Sequence, residues 1–173
     1  MVGVTGRIGA GKTSAAEYLA EAHGFFYIRY SQVLSAWRAE DPDSKSRLQA
    51  VGWEVMGGGM QAELNARLIA QLPAQSKCAI DGLRHPIDFE CLSKAFPSQF
   101  RLFFIDCADE TRWQRLRSRY SHLEDFARAD SHPVEQQIEA LRTRAFTLIK
   151  NTSSLPDLYS NVDRALEKIP QGD

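Results

Sequence analysis

Eight residues near the start of the chain have the types and the spacing needed to hold a polyphosphate. They occupy positions 6–13, with the sequence GRIGAGKT, and fit the pattern G-x-x-x-x-G-K-[ST]. Gly6, Gly9 and Gly11 let the backbone curl so that successive N–H groups point inward. Lys12 adds a cation for the β- and γ-phosphates, and the Thr13 hydroxyl is a typical ligand of Mg²⁺. The motif therefore predicts a site for a nucleoside triphosphate.

The segments on either side of this motif are predicted to be a strand and a helix. Residues 2–5 are apolar and β-branched, as in a buried strand, and residues 14–22 carry alanines and Leu19 at helical spacing. The positive end of the helix dipole would add to the phosphate cradle. The predicted ATP-binding residues of this loop are Gly6, Gly9, Ala10, Gly11, Lys12, Thr13 and Ser14.

Asp81 and Arg84 come at the end of another apolar segment, residues 77–81. Ligands of open α/β sheets bind beyond the carboxyl ends of the strands, and a carboxylate there can hold the water shell of Mg²⁺. Thr13 and Asp81 are therefore the predicted metal-site residues; the alternative for Asp81 is a turn cap. Arg84 is placed to make a bidentate contact with a phosphate, unless it is a plain surface arginine.

A second group of cations lies between residues 109 and 132. Arg112, Arg115 and Arg119 are spaced three and four apart, so on a continuous helix they would share a face. Such arginines can close over a transferring phosphoryl group and exclude water, as a lid does. We therefore predict Arg115 and Arg119 as catalytic residues and Arg112 as an ATP contact. The alternative is a solvated basic face paired with neighbouring acids.

Composition narrows the class of protein further. The chain has 173 residues, 43% hydrophobic and 25% charged, which suits one globular domain over residues 1–173. A formal net charge of −1 gives no electrostatic reason to expect nucleic acid or an anionic membrane as partner. Three widely spaced cysteines indicate reduced thiols in a cytoplasmic protein rather than a disulfide framework.

Strand and helix patterns alternate along the chain, which predicts an α/β fold: a three-layer sandwich with a five-stranded parallel sheet flanked by helices. The predicted strands are residues 2–5, 25–28, 77–81, 102–106 and 148–150. Residues 31–73 are predicted to be a helical insert that binds the acceptor, with a break around 40–46 and a turn or hinge at the three glycines 57–59. Later helices are predicted over 86–95, 111–120, 134–145 and 156–168.

These motifs, taken in order, resemble those of the P-loop nucleoside and nucleotide kinases. They are GRIGAGKT, the sequence DGLR at 81–84, the three spaced arginines and Asn151. The chain is most similar to the group that contains dephospho-coenzyme A kinase and the deoxynucleoside monophosphate kinase-like proteins. The resemblance implies ATP and Mg²⁺ as cofactors, a small nucleotide-like acceptor, Arg84 on the acceptor's phosphate and Arg47 near the substrate. It also implies that Asn151 contacts adenine, with a plain loop cap as the alternative.

The chain departs from that group at two places. After the second strand the group typically has Ser-Asp, whose carboxylate can deprotonate an acceptor hydroxyl, whereas this chain has Ser31-Gln32. A glutamine can bind an acceptor but cannot take its proton. Val55-Met56 stands where the group tends to have another arginine. An acceptor that is already a phosphate is therefore favoured over a hydroxyl. The alternatives are a nucleotide-binding sensor without turnover and a hydroxyl kinase similar to dephospho-coenzyme A kinase.

Overall fold

Five parallel strands form the centre of the structure. The computed structural model describes residues 1–38 and 45–170. The strand order across the sheet is β2-β3-β1-β4-β5. The strands are β1 Val2–Thr5, β2 Phe26–Arg29, β3 Cys78–Asp81, β4 Arg101–Asp106 and β5 Thr147–Lys150. Because the strands are parallel, the carboxyl ends of β1 and β3 meet at one edge, where Val4 pairs with Asp81.

Helices cover both faces of this sheet. They are α1 Lys12–His23, α2 Tyr30–Arg38, α3 Lys45–Gly57, α4 Gln61–Ile69, α5 Pro86–Ala95, α6 Asp109–Leu116, α7 Leu123–Asp130, α8 Pro133–Gln136, α9 Glu139–Arg142 and α10 Leu155–Glu167. Successive residues of a strand point to opposite faces. Accordingly, Ile80 and Leu102 belong to the hydrophobic core under α2 to α5, whereas Ala79 and Phe103 belong to the core under α1 and α10.

The predicted α/β fold with five parallel strands is confirmed, and each predicted strand lies within one residue of its observed position at both ends. The helix predicted over 111–120 is wrong at its end, because α6 stops at Leu116. The polar segment 122–132, for which no helix was predicted, contains α7, whose Phe126 is buried against Trp113. The helix predicted over 134–145 is split into α8 and α9.

The helical insert has the predicted parts where the structure describes them. Of the three glycines, Gly57 ends α3, and Gly58 and Gly59 form the turn to α4, with Gly59 at a positive φ of 69°. The predicted break at 40–46 lies mainly outside the described residues. Within residues 1–38 and 45–170, each helix is too short or too polar to cross a bilayer. All three cysteines are free, with Cys78 buried and Cys91 and Cys107 partly buried.

Candidate functional site: a phosphate loop facing a helical insert

The loop between β1 and α1 takes the strained path that its glycines allow. Gly6 and Gly11 have φ angles of 143° and 99°, which side chains other than glycine rarely adopt. At Gly6 a Cβ atom would also lie 2.5 Å from the carbonyl oxygen of Ile105. The loop ends at Lys12, the first residue of α1, so its N–H groups and the helix dipole face the same space.

Lys12 lies buried in this loop, and among the described residues no carboxylate accepts a hydrogen bond from it. Its Nζ donates to the carbonyl oxygen of Arg7 at 2.9 Å. Burial lowers the pKa of Lys12 to about 7, and the nearby Arg84 guanidinium acts in the same direction. A polyphosphate would supply the negative charge that this buried amine lacks. The chemistry of Lys12 therefore fits a bound nucleoside triphosphate.

Thr13 and Asp81 meet where β1 and β3 end. The Thr13 hydroxyl donates to Asp81 Oδ2 at 2.8 Å, and the Tyr27 hydroxyl donates to the same oxygen at 3.2 Å. The other oxygen of Asp81, Oδ1, is buried and has no hydrogen-bond partner among the described residues. Mg²⁺ is commonly held by one or two protein oxygens together with phosphates and water. The predicted metal pair thus has the donors that such an ion needs.

The described residues contain no ready-made metal cluster of three or more His, Cys, Asp or Glu side chains. A cation at this place would therefore take its remaining ligands from phosphate and water.

Arg84 is paired with a carboxylate that the sequence did not indicate. The Arg84 Nη1 atom donates to Oε1 of Glu135, whose side chain is fully buried. The second oxygen, Oε2, accepts the backbone N–H of Ile8 in the phosphate loop at 3.0 Å. Burial lowers the pKa of Arg84, yet an arginine keeps its charge at neutral pH. Glu135 therefore joins the predicted acceptor arginine to the phosphate loop.

Arg112 also contacts the phosphate loop. It is fully buried, donates to the carbonyl oxygen of Ile8 at 3.0 Å and forms an ion pair with Asp130 at 2.6 Å. Asp130 also pairs with Arg7 at 2.9 Å. The predicted shared face of Arg112, Arg115 and Arg119 does not form, because Arg112 turns inward and α6 ends before Arg119. The predicted contact of Arg112 with ATP stays a prediction.

Asn151 binds the phosphate loop, and Arg115 in turn binds Asn151. Asn151 is buried, and its Nδ2 donates to the carbonyl oxygen of Ala10 at 2.8 Å. Arg115 Nη2 donates to Asn151 Oδ1 at 3.0 Å and to the carbonyl oxygen of Ser153 at 3.2 Å. A Cβ at Gly11 would collide with the Asn151 amide. The structure thus places Asn151 beside the phosphate loop; its predicted contact with adenine stays a prediction.

One cavity of about 210 Å³ brings most of the predicted catalytic residues together. Its wall on the side of the sheet and the phosphate loop includes Gly9, Lys12, Thr13, Asp81, Arg84 and Arg119, together with the unpredicted Glu135. The helical insert supplies Leu34, Leu48, Gln49, Gly52, Met56, Gln61 and Leu64. Two predicted substrate residues, Gln32 and Arg47, are exposed and do not line this cavity.

The architecture resembles that of several solved structures over nearly the whole chain, and two of the three described next are kinases by name. Protein TT1252 from Thermus thermophilus has a TM-score of 0.64 at 19% identity, covering 98% of this chain and 97% of that chain. A gluconokinase from Sinorhizobium meliloti 1021 has a TM-score of 0.64 at 15% identity, with coverages of 96% and 91%. Shikimate kinase from Aquifex aeolicus vf5 has a TM-score of 0.57 at 12% identity, with coverages of 96% and 95%. At these identities the likeness concerns the fold.

A family model gives the assignment. The model described as an AAA domain matches residues 2–135, from β1 to α8. No curated protein matches the chain in sequence. The closer likeness to dephospho-coenzyme A kinase stays a prediction. Because the family model covers well over half of the chain, this protein belongs to the AAA-domain family, and its fold is that of the P-loop kinases.

Proposed function

We propose that this protein is an ATP- and Mg²⁺-dependent phosphotransferase of the nucleoside monophosphate kinase type. It would transfer the γ-phosphoryl group of ATP to the phosphate of a small, nucleotide-like acceptor. One observation carries the proposal: the phosphate-loop residues Lys12 and Thr13, with Asp81 beside them, share a cavity with Arg84. Groups suited to a donor triphosphate and to an acceptor phosphate thus face the same space.

Each of these residues has a role that its position supports. Lys12 offers its charge to the donor phosphates, and Thr13 and Asp81 hold a divalent cation between them. When bound, Mg²⁺ would neutralise charge on the phosphates. Arg84 binds the acceptor's phosphate, and Arg119, which lines the cavity from beyond α6, adds positive charge to the site. This arrangement orients two anions that would otherwise repel each other.

The chemistry of the transfer requires no general base when the acceptor is a phosphate. An oxygen of the ionised acceptor phosphate forms a bond to the γ-phosphorus, the bond from that phosphorus to the bridging oxygen breaks, and ADP leaves. Gln32, which stands where the resembling group has its base, is exposed and outside the cavity lining. The carboxylates that do line the cavity, Asp81, Asp88 and Glu135, already accept hydrogen bonds from other residues. With Arg84 in the same wall, a phosphate acceptor therefore agrees better with this site than a hydroxyl acceptor does.

The test is ADP formation from Mg-ATP across nucleoside monophosphates, nucleosides and dephospho-coenzyme A, with a control that lacks acceptor. We expect stimulation by a nucleoside monophosphate. Arg84→Ala should raise the KM for that acceptor while ATP still binds, whereas Lys12→Ala should weaken ATP binding itself. Stimulation by a nucleoside or by dephospho-coenzyme A alone would refute the phosphate acceptor.

A second candidate is a nucleotide-binding sensor that does not turn over. The pairing of Arg84 with the buried Glu135 favours it, because the arginine proposed to bind the acceptor already has an anionic partner. Under this alternative, ATP binds with ordinary affinity, and none of the acceptors increases ADP formation.

A further inference from the structure

A buried polar cluster borders the cavity on the side of the helical insert. Its members are Tyr30, Gln61, Asn65 and Asp88, each buried. Asp88 Oδ1 accepts from Gln61 Nε2 at 2.5 Å and from Asn65 Nδ2 at 2.8 Å. The Tyr30 hydroxyl donates to Asn65 Oδ1 at 2.5 Å. These contacts hold the cluster in one arrangement, so its free groups point in fixed directions.

Gln61 is the member of this cluster that retains an unused hydrogen-bonding group. Only an amide nitrogen can donate to the Asp88 carboxylate, so this contact fixes which end of the Gln61 amide is oxygen. That oxygen, Oε1, is buried and has no hydrogen-bond partner among the described residues. Gln61 is also one of the residues that line the cavity. A buried carbonyl without a donor is unfavourable, and a ligand with an N–H group would satisfy it.

The insert wall around this amide is otherwise mainly apolar. It includes Leu34, Leu48, Met56 and Leu64, whereas Ser31 and Gln49 are its other polar residues and Gly52 has no side chain. A polyhydroxylated acceptor would leave several hydroxyl groups without partners against these side chains. A flat, largely apolar ring with one donor group would bury its faces against them and still satisfy Gln61.

Asp88 links this amide to Arg84. Its second oxygen, Oδ2, accepts the backbone N–H groups of Arg84 and His85, both at 2.9 Å. One carboxylate therefore anchors Gln61 through one oxygen and the main chain of Arg84 through the other. Asp88 thereby holds the Gln61 amide and the main chain of Arg84 at a fixed distance from each other, and a single acceptor molecule could contact both residues.

We propose that Gln61 determines the specificity for the acceptor: a nucleoside monophosphate whose base donates an N–H hydrogen bond to Gln61 Oε1 while its phosphate binds Arg84. The inference rests on the phosphotransferase function proposed above and specifies the acceptor of that reaction. It assigns the insert wall to the base and the Arg84 side to the phosphate.

The experiment measures binding by titration calorimetry for pairs of probes that differ in one N–H donor of the base. The pairs are AMP with purine riboside monophosphate, CMP with its analogue that lacks the 4-amino group, and GMP with IMP. We expect the wild-type protein to prefer the donor-bearing member of at least one pair by about tenfold or more. Gln61→Met should abolish this preference, because methionine keeps the length of the side chain but has no carbonyl.

The control is Gln71→Met, at an exposed glutamine beyond the end of α4, which should keep the wild-type preference. A general loosening of the fold would weaken both members of a pair alike, so the ratio within a pair isolates the role of Gln61. Equal affinities within every wild-type pair would overturn the inference about Gln61, even if ADP formation with a nucleoside monophosphate supports the phosphotransferase. A preference that survives in Gln61→Met would overturn it as well. If none of the probes binds or stimulates ADP formation, both proposals fail.

Discussion

Replacing Glu135 with glutamine tests whether this carboxylate holds Arg84 and the phosphate loop together. The side chain of Glu135 is fully buried, whereas that of Arg84 is 34% exposed. Breaking a fully buried ion pair costs about 3–5 kcal/mol, but partial exposure lets water solvate Arg84, and glutamine still offers one acceptor. We therefore expect Glu135→Gln to lower the free energy of unfolding by about 2–3 kcal/mol, which for a chain of this size lowers Tm by about 4–12 °C.

The assay is thermal and urea unfolding at neutral pH, followed by circular dichroism, with Glu139→Gln as a control. Glu139 is exposed and lies 3.8 Å from Arg142, so its loss should change stability by about 0.5 kcal/mol or less. Arg84→Met should destabilise at least as much as Glu135→Gln, because it leaves a fully buried carboxylate without its cation. The double variant should lose less stability than the sum of the two. A Tm unchanged in Glu135→Gln, or additive losses, would refute the coupling of these residues.

Three further predictions concern the phosphate site. The pKa of Lys12 is about 7 in the free protein and 10.5 when unperturbed, so ATP binding at pH 8 should take up close to one proton, measured as a binding heat that depends on the buffer. Because of the same shift, the free energy of unfolding of the free protein should rise with pH between about 7 and 10.5. Lys12→Met should remove both effects. Thr13→Val should weaken the Mg²⁺ dependence of nucleotide binding far more than binding without metal, and an unchanged Mg²⁺ titration would refute the metal role. Arg119→Ala should lower kcat about tenfold or more, whereas Arg117→Ala, at an exposed position outside the cavity, should not; equal kcat values in the two variants would contradict a role for Arg119.

The phosphate loop could be predicted because its physical requirements are local. Backbone N–H groups can surround a phosphate only where consecutive residues accept unusual φ angles, and glycines at 6, 9 and 11 provide them. Asp81 could be placed next to Thr13 because Asp81 ends one strand of a parallel sheet and Thr13 comes after another, and the carboxyl ends of such strands meet at one edge. In these cases the order of residues along the chain already fixes which groups meet.

The arginine segment shows where local reasoning fails. The spacing of Arg112, Arg115 and Arg119 predicts a common face only if one helix contains them all, yet α6 ends at Leu116 with no glycine or proline to mark the end. Tyr120 then packs against Phe126 of α7. Aromatic contacts between segments thus accompany the turn of the chain, and helical periodicity carries no information about them.

Glu135 and Gln61 escaped prediction for the same physical reason. Glu135 accepts from Ile8, 127 residues earlier in the chain, and Gln61 donates to Asp88 from a different helix. In sequence, both look like polar residues on the solvent side of short helices. Folding buries them, and burial converts an ordinary carboxylate or amide into a group whose every hydrogen bond affects stability or recognition. Both line the cavity in which we propose that the acceptor binds, so two residues important to that proposal could not be identified from the sequence.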